Sequence, residues 1–153
     1  MPKFETRRRV PHSAQQMYDL VADVERYPQF LPLCETLKVR NRAPRAEGGE
    51  VLVAAMEVGY GAIRERFTSR VILDPAALKI QSTYVDGPFS RMDNRWTFSN
   101  VAGAPGNCDV VFYIDYEFKS TILKILMGSM FDVAFRRFTD AFEKRAKVVY
   151  RKP

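Results

Sequence analysis

The residue types that carry most protein chemistry are scarce in this chain. There is one histidine, His12, placed just before a helical pattern. A lone histidine there reads as a capping or surface residue before it reads as a catalytic base. Nucleophilic catalysis needs a base beside the nucleophile, and His12 is the sole base of the usual kind. Zinc asks for about four Cys, His or acidic ligands, and Cys34 and Cys108 lie far apart with only His12 to join them. No G-x-S-x-G elbow, phosphate loop or G-x-G-x-x-G turn occurs, so neither a catalytic residue nor a metal site is expected. Glu65 is the acid of most interest. It falls on the same strand parity as Ile63, Phe67 and Val71, and a carboxylate facing an apolar cavity has a raised pKa. The alternative is that Glu65 sits at the open end of the sheet or pairs with a neighbouring arginine. Glu57 has the same ambiguity.

Aromatic residues are the richer signal: eleven Phe, seven Tyr and one Trp. Phe67, Tyr84, Trp96, Phe98, Phe112, Ile114 and Tyr116 lie on faces assigned inward or half-buried. Phe30 and Leu31 in QFLPLCE, Phe89 in DGPFS, and Met127 and Met130 in TILKILMGSMF complete a set of candidate cavity residues. Tyr hydroxyls and Trp N–H groups want partners when buried, which suits a pocket for an apolar ligand with a few polar atoms. Most of these residues also serve as ordinary core, and methionines fill irregular gaps. The TILKILMGSMF run reads either as a soft lid or as a membrane-touching surface. Gly128 within it leaves room for a ligand or for close packing.

Arg64, Arg66 and Arg70 form an outward stripe on one strand pattern, and Lys79 and Arg95 extend it to neighbouring strands. They are candidates for a phosphate, RNA or anionic-membrane face. Aromatics do not interleave with them, so a base-stacking platform is weakly supported. Sixteen of the 24 basic residues are arginine and the net charge is +6. That balance favours anionic partners without selecting one.

These residues need elements to hold them. Residues 4–9 alternate loosely and end in three arginines, as an edge strand does. Ser13 with Gln16 three residues later is a capping box. Met17, Leu20, Val21 and Val24 follow at helical spacing, and Pro28 is expected to close that helix. QFLPLCE reads as a further helical turn or a tight corner. From residue 36 to 118 the period is two, broken at NRAPRAEGG, Gly59–Gly61, Asp74-Pro75, DGPFS and NVAGAPGN. That predicts about six antiparallel strands beyond the first. Residues 121–149 return to helical spacing over ~43 Å. Residues 121–135 are the apolar half, and Phe138, Ala141, Phe142 and Ala146 make the stripe of the charged half. A long helix with an apolar face needs a partner, and the sheet is the large one. The expectation is an α+β fold in which a curled antiparallel sheet holds the last helix, with a cavity between them.

The 153 residues make one domain, 1–153, at ~100–200 residues per domain. The chain is 46% hydrophobic and 27% charged, which excludes a disordered class. No run of ~18 uncharged apolar residues is present, so no membrane-spanning helix is expected. MPKFETRRRV has no apolar run behind its charges, so no secretory signal is expected. Two distant cysteines fit reduced thiols in a cytoplasmic protein, peripheral at the inner membrane if at all.

Three motifs together carry a family resemblance: VPHSAQQMYDLVADVERYPQFLPLC, DGPFSRMDNRWTF and DYEFKSTILKILMGSMFDVAFRRFTDAFEKRAKVVY. In order and spacing, from about residue 3 to 150, they resemble the START-like ubiquinone-binding proteins of the polyketide cyclase-like superfamily. Mitochondrial coenzyme Q-binding proteins and bacterial ribosome association toxins are its two branches. YPQFLP is similar to the bacterial branch. Leu33 stands where some quinone-binding relatives carry Trp, and Met92 where leucine is expected. The resemblance implies a helix-grip fold of six to seven strands. It also implies a monomeric, non-enzymatic protein that binds ubiquinone, needs no cofactor and supports respiration. The isoprenoid tail would lie against the apolar half of the last helix, with Tyr84, Tyr116 or Glu65 meeting the quinone oxygens. The rival implication is a factor that binds the large ribosomal subunit and blocks subunit association. A cyclase or aromatase using Glu65 or His12 is the third.

Overall fold

The period-two segments form seven strands in one antiparallel sheet. A computed structural model describes residues 3–60 and 62–150, with the side chains of all but Tyr60, Ile63 and Met130. The strands are β1 Lys3–Val10, β2 Cys34–Pro44, β3 Glu50–Tyr60, β4 Ile63–Asp74, β5 Lys79–Asp86, β6 Phe89–Val101 and β7 Ala104–Phe118. Their spatial order is β1-β7-β6-β5-β4-β3-β2, so the first and last strands are neighbours and β2 is the far edge. The pairing of β1 with β7 runs from Lys3 opposite Asp115 to Val10 opposite Cys108. The arginines of β1 face solvent or acids, as an edge strand requires; Arg9 bonds Asp109 at 2.9 Å.

Helix α1 spans Ala14–Ala22. Its capping box is as expected: Ser13 Oγ accepts from Gln16 N at 3.1 Å, and Gln16 Oε1 accepts from Ser13 N at 2.9 Å. The stop is earlier than Pro28. Asp23 leaves the helical region, and Val24–Gln29 forms a separate 3-10 turn that contains Pro28. The Tyr27 hydroxyl donates to the Val21 carbonyl, so a side chain from beyond the helix caps its last turn. QFLPLCE is a tight corner, and Leu33 within it has φ 68°, in the left-handed region.

The DGPFS break is a two-residue turn at Gly87 and Pro88. Gly87 has φ +142°, and a Cβ there would lie 2.5 Å from Phe67 Cβ. NVAGAPGN is not a loop. Strands β6 and β7 continue through it and leave only residues 102–103 as the turn.

Helix α2, Thr121–Val149, starts on a Ser120 cap and lies across the concave sheet face. Met127, Phe131, Ala134, Phe135, Phe142 and Ala146 are its buried stripe. This is the expected α+β helix-grip arrangement. The far end of α2 is pinned by Tyr150 Oη donating to Gln16 O at 2.7 Å and by Arg8 bonding Asp140 and Glu143. At the near end Met127 and Phe131 are buried, but the apolar residues on the opposite side of the helix are not. Ile122 is 69% exposed, Ile125 74% and Leu126 57%. Gly128 is not a close-packing device, since a Cβ there meets nothing within 4 Å.

Candidate functional site: a cavity between sheet and helix

Strand parity sends alternate residues of four neighbouring strands toward α2. They are Phe67, Ser69 and Val71 of β4, Ile80 and Ser82 of β5, Met92, Asn94 and Trp96 of β6, and Phe112 and Ile114 of β7. Phe131, Ala134, Phe135, Phe138 and Phe142, at spacings of three and four, oppose them from α2. The corner closes one side with Tyr27, Leu31, Leu33 and Cys34, and β2 and β3 add Leu37, Ala54, Met56 and Val58. Together they enclose a cavity of about 90 Å³. A water takes roughly 10–15 Å³ on this measure, so the space suits a ring or one branched aliphatic unit.

The wall is aromatic and aliphatic except for one polar row. Ser82 is directly opposite Asn94 on β6 and Val71 on β4, and Ser69 follows one inward step along β4. Asn94 Nδ2 donates to the Tyr113 carbonyl at 2.9 Å, which fixes the carboxamide. Among the described residues, the lining holds no carboxylate, imidazole, amine or guanidinium. Its ionisable groups are Tyr27 and Cys34. Burial raises the Tyr27 phenol and pushes the Cys34 thiol up to about 12, so both stay neutral.

Of the residues singled out by sequence, Leu31, Phe67, Trp96, Phe112 and Ile114 line this cavity. Phe89, Tyr84, Tyr116 and Met127 do not. Phe89 is fully buried and forms the hub of an aromatic plug at one end. It stacks on Phe118 at 5.2 Å and meets Phe131 at 5.2 Å, Tyr84 at 5.7 Å, Tyr116 at 5.9 Å and Phe67 at 5.9 Å between ring centres. The Tyr84 hydroxyl accepts from Phe89 N at 3.1 Å. Tyr116 packs on Phe135. Burial raises both phenols. Glu65 has the inward parity but lies beyond Phe67 toward the open strand end. It is half-exposed, opposite Val58, with its carboxylate near the Arg66 amide at 3.4 Å. Phe30 lies outside the wall, under the Arg145 guanidinium at 5.2 Å. Met130 lies outside the described side chains, as do Gly61 and the Ile63 side chain.

The outward basic stripe is largely neutralised. Arg64 pairs with Glu35 at 2.9 Å, Arg66 with Glu57 at 2.7 Å and Arg95 with Asp93 at 2.7 Å. Arg70 and Lys79 are exposed on the same sheet face. A second basic feature, not found by sequence reading, is a groove between α2 and the corner. Arg137, Lys144 and Arg145 line it with Phe30, Pro32 and Asp140. His12 is buried against Tyr150 with its Nε2 unpartnered, and burial lowers its pKa. Cys108 is fully buried and pushed up to about 11. No cluster of three or more potential metal ligands occurs among the described residues.

Residues 10–143, from the end of β1 to the charged half of α2, match the family model described as polyketide cyclase / dehydrase and lipid transport. The chain belongs to that family. Among relatives of this family, the ribosome association toxin RatA of Escherichia coli K12 is 35% identical over 150 residues, covering 98% of this chain and 90% of that protein. The mitochondrial coenzyme Q-binding protein COQ10 homolog B of Xenopus laevis is 34% identical over 143 residues, covering 90% of this chain and 55% of that protein. Both branches expected from the motifs are thus among its relatives. A START superfamily protein from Mycobacterium smegmatis superposes with a TM-score of 0.78 at 19% identity, covering 96% of this chain and 98% of that one. The Zhui aromatase/cyclase of Streptomyces sp. R1128 does so at 0.82 and 17%, covering 98% and 96%. At those identities the likeness is one of fold. The two relatives are named for binding and association, whereas this structural neighbour is an enzyme. No helix among the described residues is long and apolar enough to cross a membrane.

Proposed function

We propose that this protein binds a neutral isoprenoid lipid, ubiquinone foremost, between sheet and α2, and acts as a carrier or chaperone for it rather than as an enzyme. The observation that carries the reading is the enclosed, uncharged aromatic cavity with a single polar row. Ser82 and the second N–H of Asn94 can donate to quinone oxygens, which have no hydrogen of their own to give. Phe135, Phe138 and Trp96 then flank the ring. The space of about 90 Å³ is smaller than a whole prenylated quinone. Binding therefore requires α2 to move off the sheet, and Met56 and Met92 supply deformable walls. The ionisable groups of the lining, Tyr27 and Cys34, are held neutral by burial and are poor acid–base catalysts. This disfavours the cyclase reading despite the shared fold.

The test is lipid extraction and native mass spectrometry of gently purified protein. Stoichiometric ubiquinone is the expected result. Protein that is empty, and that fails to quench Trp96 fluorescence when quinone is added, overturns the reading. Replacing Asn94 by Leu should weaken binding about 2- to 12-fold, the worth of one hydrogen bond.

A second reading follows from the RatA relatives and the groove of Arg137, Lys144 and Arg145. This face would contact ribosomal RNA phosphates and hinder subunit association. Cosedimentation with large subunits that weakens steeply with salt supports it. Absence of binding at low salt removes it.

A further inference from the structure

The first three turns of α2 present apolar side chains on both sides of the helix. Leu123, Met127 and Phe131 face the protein. Ile122, Ile125, Leu126 and Val133 face solvent, at 69, 74, 57 and 41% exposure. With exposed Ser129, these outer residues fall within about 100° of arc at ~100° per residue, so they form one continuous face. Isolated exposed apolar residues need no explanation, but a contiguous strip of branched aliphatics marks a partner.

The charges around the strip define that partner. Residues 119–131 contain Lys119 and Lys124 and no acid. Further along the same outer face come exposed Arg137 and Lys144. The acids on this side are engaged: Asp132 with Arg136 at 3.1 Å, and Asp140 with Arg8. Apolar residues followed by cations along one helix face match a bilayer surface, hydrocarbon beneath and anionic headgroups above. A second copy of the chain would bring the same cations against each other. Ribosomal RNA would leave the aliphatic strip unmatched.

We propose that the outer face of α2, from Ile122 through Val133 with Arg137 and Lys144 behind it, docks this protein on an anionic lipid bilayer. The proposal builds on the lipid-binding reading by giving the cavity its source of ligand. The same turns that dock carry Met127 and Phe131 on their reverse side, and Phe131 belongs both to the aromatic plug and to the cavity wall. Insertion of the strip draws those turns away from Phe89 and Phe118 and opens that end of the cavity toward the acyl chains. The segment is thus both the membrane contact and the gate.

The experiment is flotation of the full chain with vesicles of phosphatidylcholine alone and of phosphatidylcholine with phosphatidylglycerol at 3:1. Wild-type protein should partition at least ~10-fold better onto the anionic vesicles, with the difference shrinking as salt rises. The triple variant I122S/I125S/L126S alters exposed positions and should keep its circular dichroism. It should lose at least ~10-fold in partitioning. Quenching of Trp96 by a short-chain ubiquinone in the same variant reads the cavity separately. If wild type floats and the variant does not, the docking surface stands even where quenching shows no quinone binding. Equal flotation of both proteins overturns it, and so does failure of wild type to float. Light scattering that shows a wild-type dimer dissolved by the triple variant assigns the face to self-association and also overturns it.

Discussion

Leucine in place of Ala134 should stabilise the empty protein while weakening its ligand. Ala134 is buried, on the stretch of α2 that faces the cavity. The substitution adds three carbons to a space of about 90 Å³ already enclosed by apolar atoms. At ~0.8 kcal/mol per buried carbon the gross gain is about 2.4 kcal/mol. Fixing the leucine rotamer takes back ~0.5–1 kcal/mol. A net gain of about 1–2 kcal/mol raises Tm by roughly 3–6 °C for a chain of this size. The sign is diagnostic, because the same change in a solid core overpacks it and costs ~1–3 kcal/mol. The filled space is then closed to the quinone ring. Wild-type Tm should climb with added quinone, by the equivalent of ~2.7 kcal/mol at a hundred times Kd. In Ala134→Leu that climb should largely vanish. Calorimetry with and without short-chain ubiquinone, alongside Trp96 quenching, reads both quantities. A lowered Tm, or a raised Tm with an unchanged quinone response, refutes the reasoning.

Other outcomes follow from single groups. Burial holds the His12 imidazole below its usual 6.5, with Glu143 opposing and Lys147 assisting the shift. The unfolded chain therefore binds the proton first. His12 contributes fully above pH 6.5, and that stability is lost as pH falls from there toward its folded pKa. Urea midpoints at pH 7.5 and 5.5 should converge in His12→Asn, and an unchanged decline would count against the assignment. Asp109 and Asp140, held below 3.8 chiefly by hydrogen bonds from Arg9 and Arg8, act at lower pH and do not confuse that window. Gly87→Ala should destabilise by about 1–3 kcal/mol, since its φ of +142° and its 2.5 Å approach to Phe67 admit no Cβ. Gly128→Ala should stabilise by ~0.5–1 kcal/mol, because the helix gains a better former and the Cβ meets nothing. Cys34 and Cys108, pushed up to about 12 and about 11, should resist a disulfide thiol reagent at pH 8 until the protein is denatured.

The elements were legible because their signals are local. A two-residue period marks strands wherever one face is buried, and the Ser13–Gln16 box marks a helix start without knowledge of its surroundings. The helix stop was less legible, because Tyr27 caps Val21 through a tertiary contact that no dipeptide rule contains. Parity correctly turned Phe67, Trp96, Phe112 and Ile114 inward. It does not say how far along each strand the cavity extends: Tyr84 and Tyr116 share the inward parity yet pack in the plug beyond the wall, and Glu65 takes its open-end alternative. The polar row of Ser69, Ser82 and Asn94 was missed for another reason. The three share the inward parity of their apolar neighbours, but only the register sets them side by side on adjacent strands beneath α2. The groove of Arg137, Lys144 and Arg145 depends on where the corner docks, which spacing along α2 does not reveal.

The pairing of β1 with β7 has a consequence for synthesis. Lys3 must wait for Asp115, its partner in the finished sheet. At ~5–20 residues per second the ribosome takes on the order of 6–22 seconds to make the chain between them. During that interval β2 through β6 can form hairpin by hairpin, each strand pairing with the one just made, whereas β1 has nothing to pair with. A strand left open that long invites misassociation. Arg7, Arg8 and Arg9 meet that hazard with three like charges in a row. Their acidic partner Asp109 emerges just before Asp115, and Asp140 and Glu143 only after it. The arginine run that begins this chain therefore acts twice, first as a repellent on a waiting strand and then as the clasp that joins it to the end of the fold.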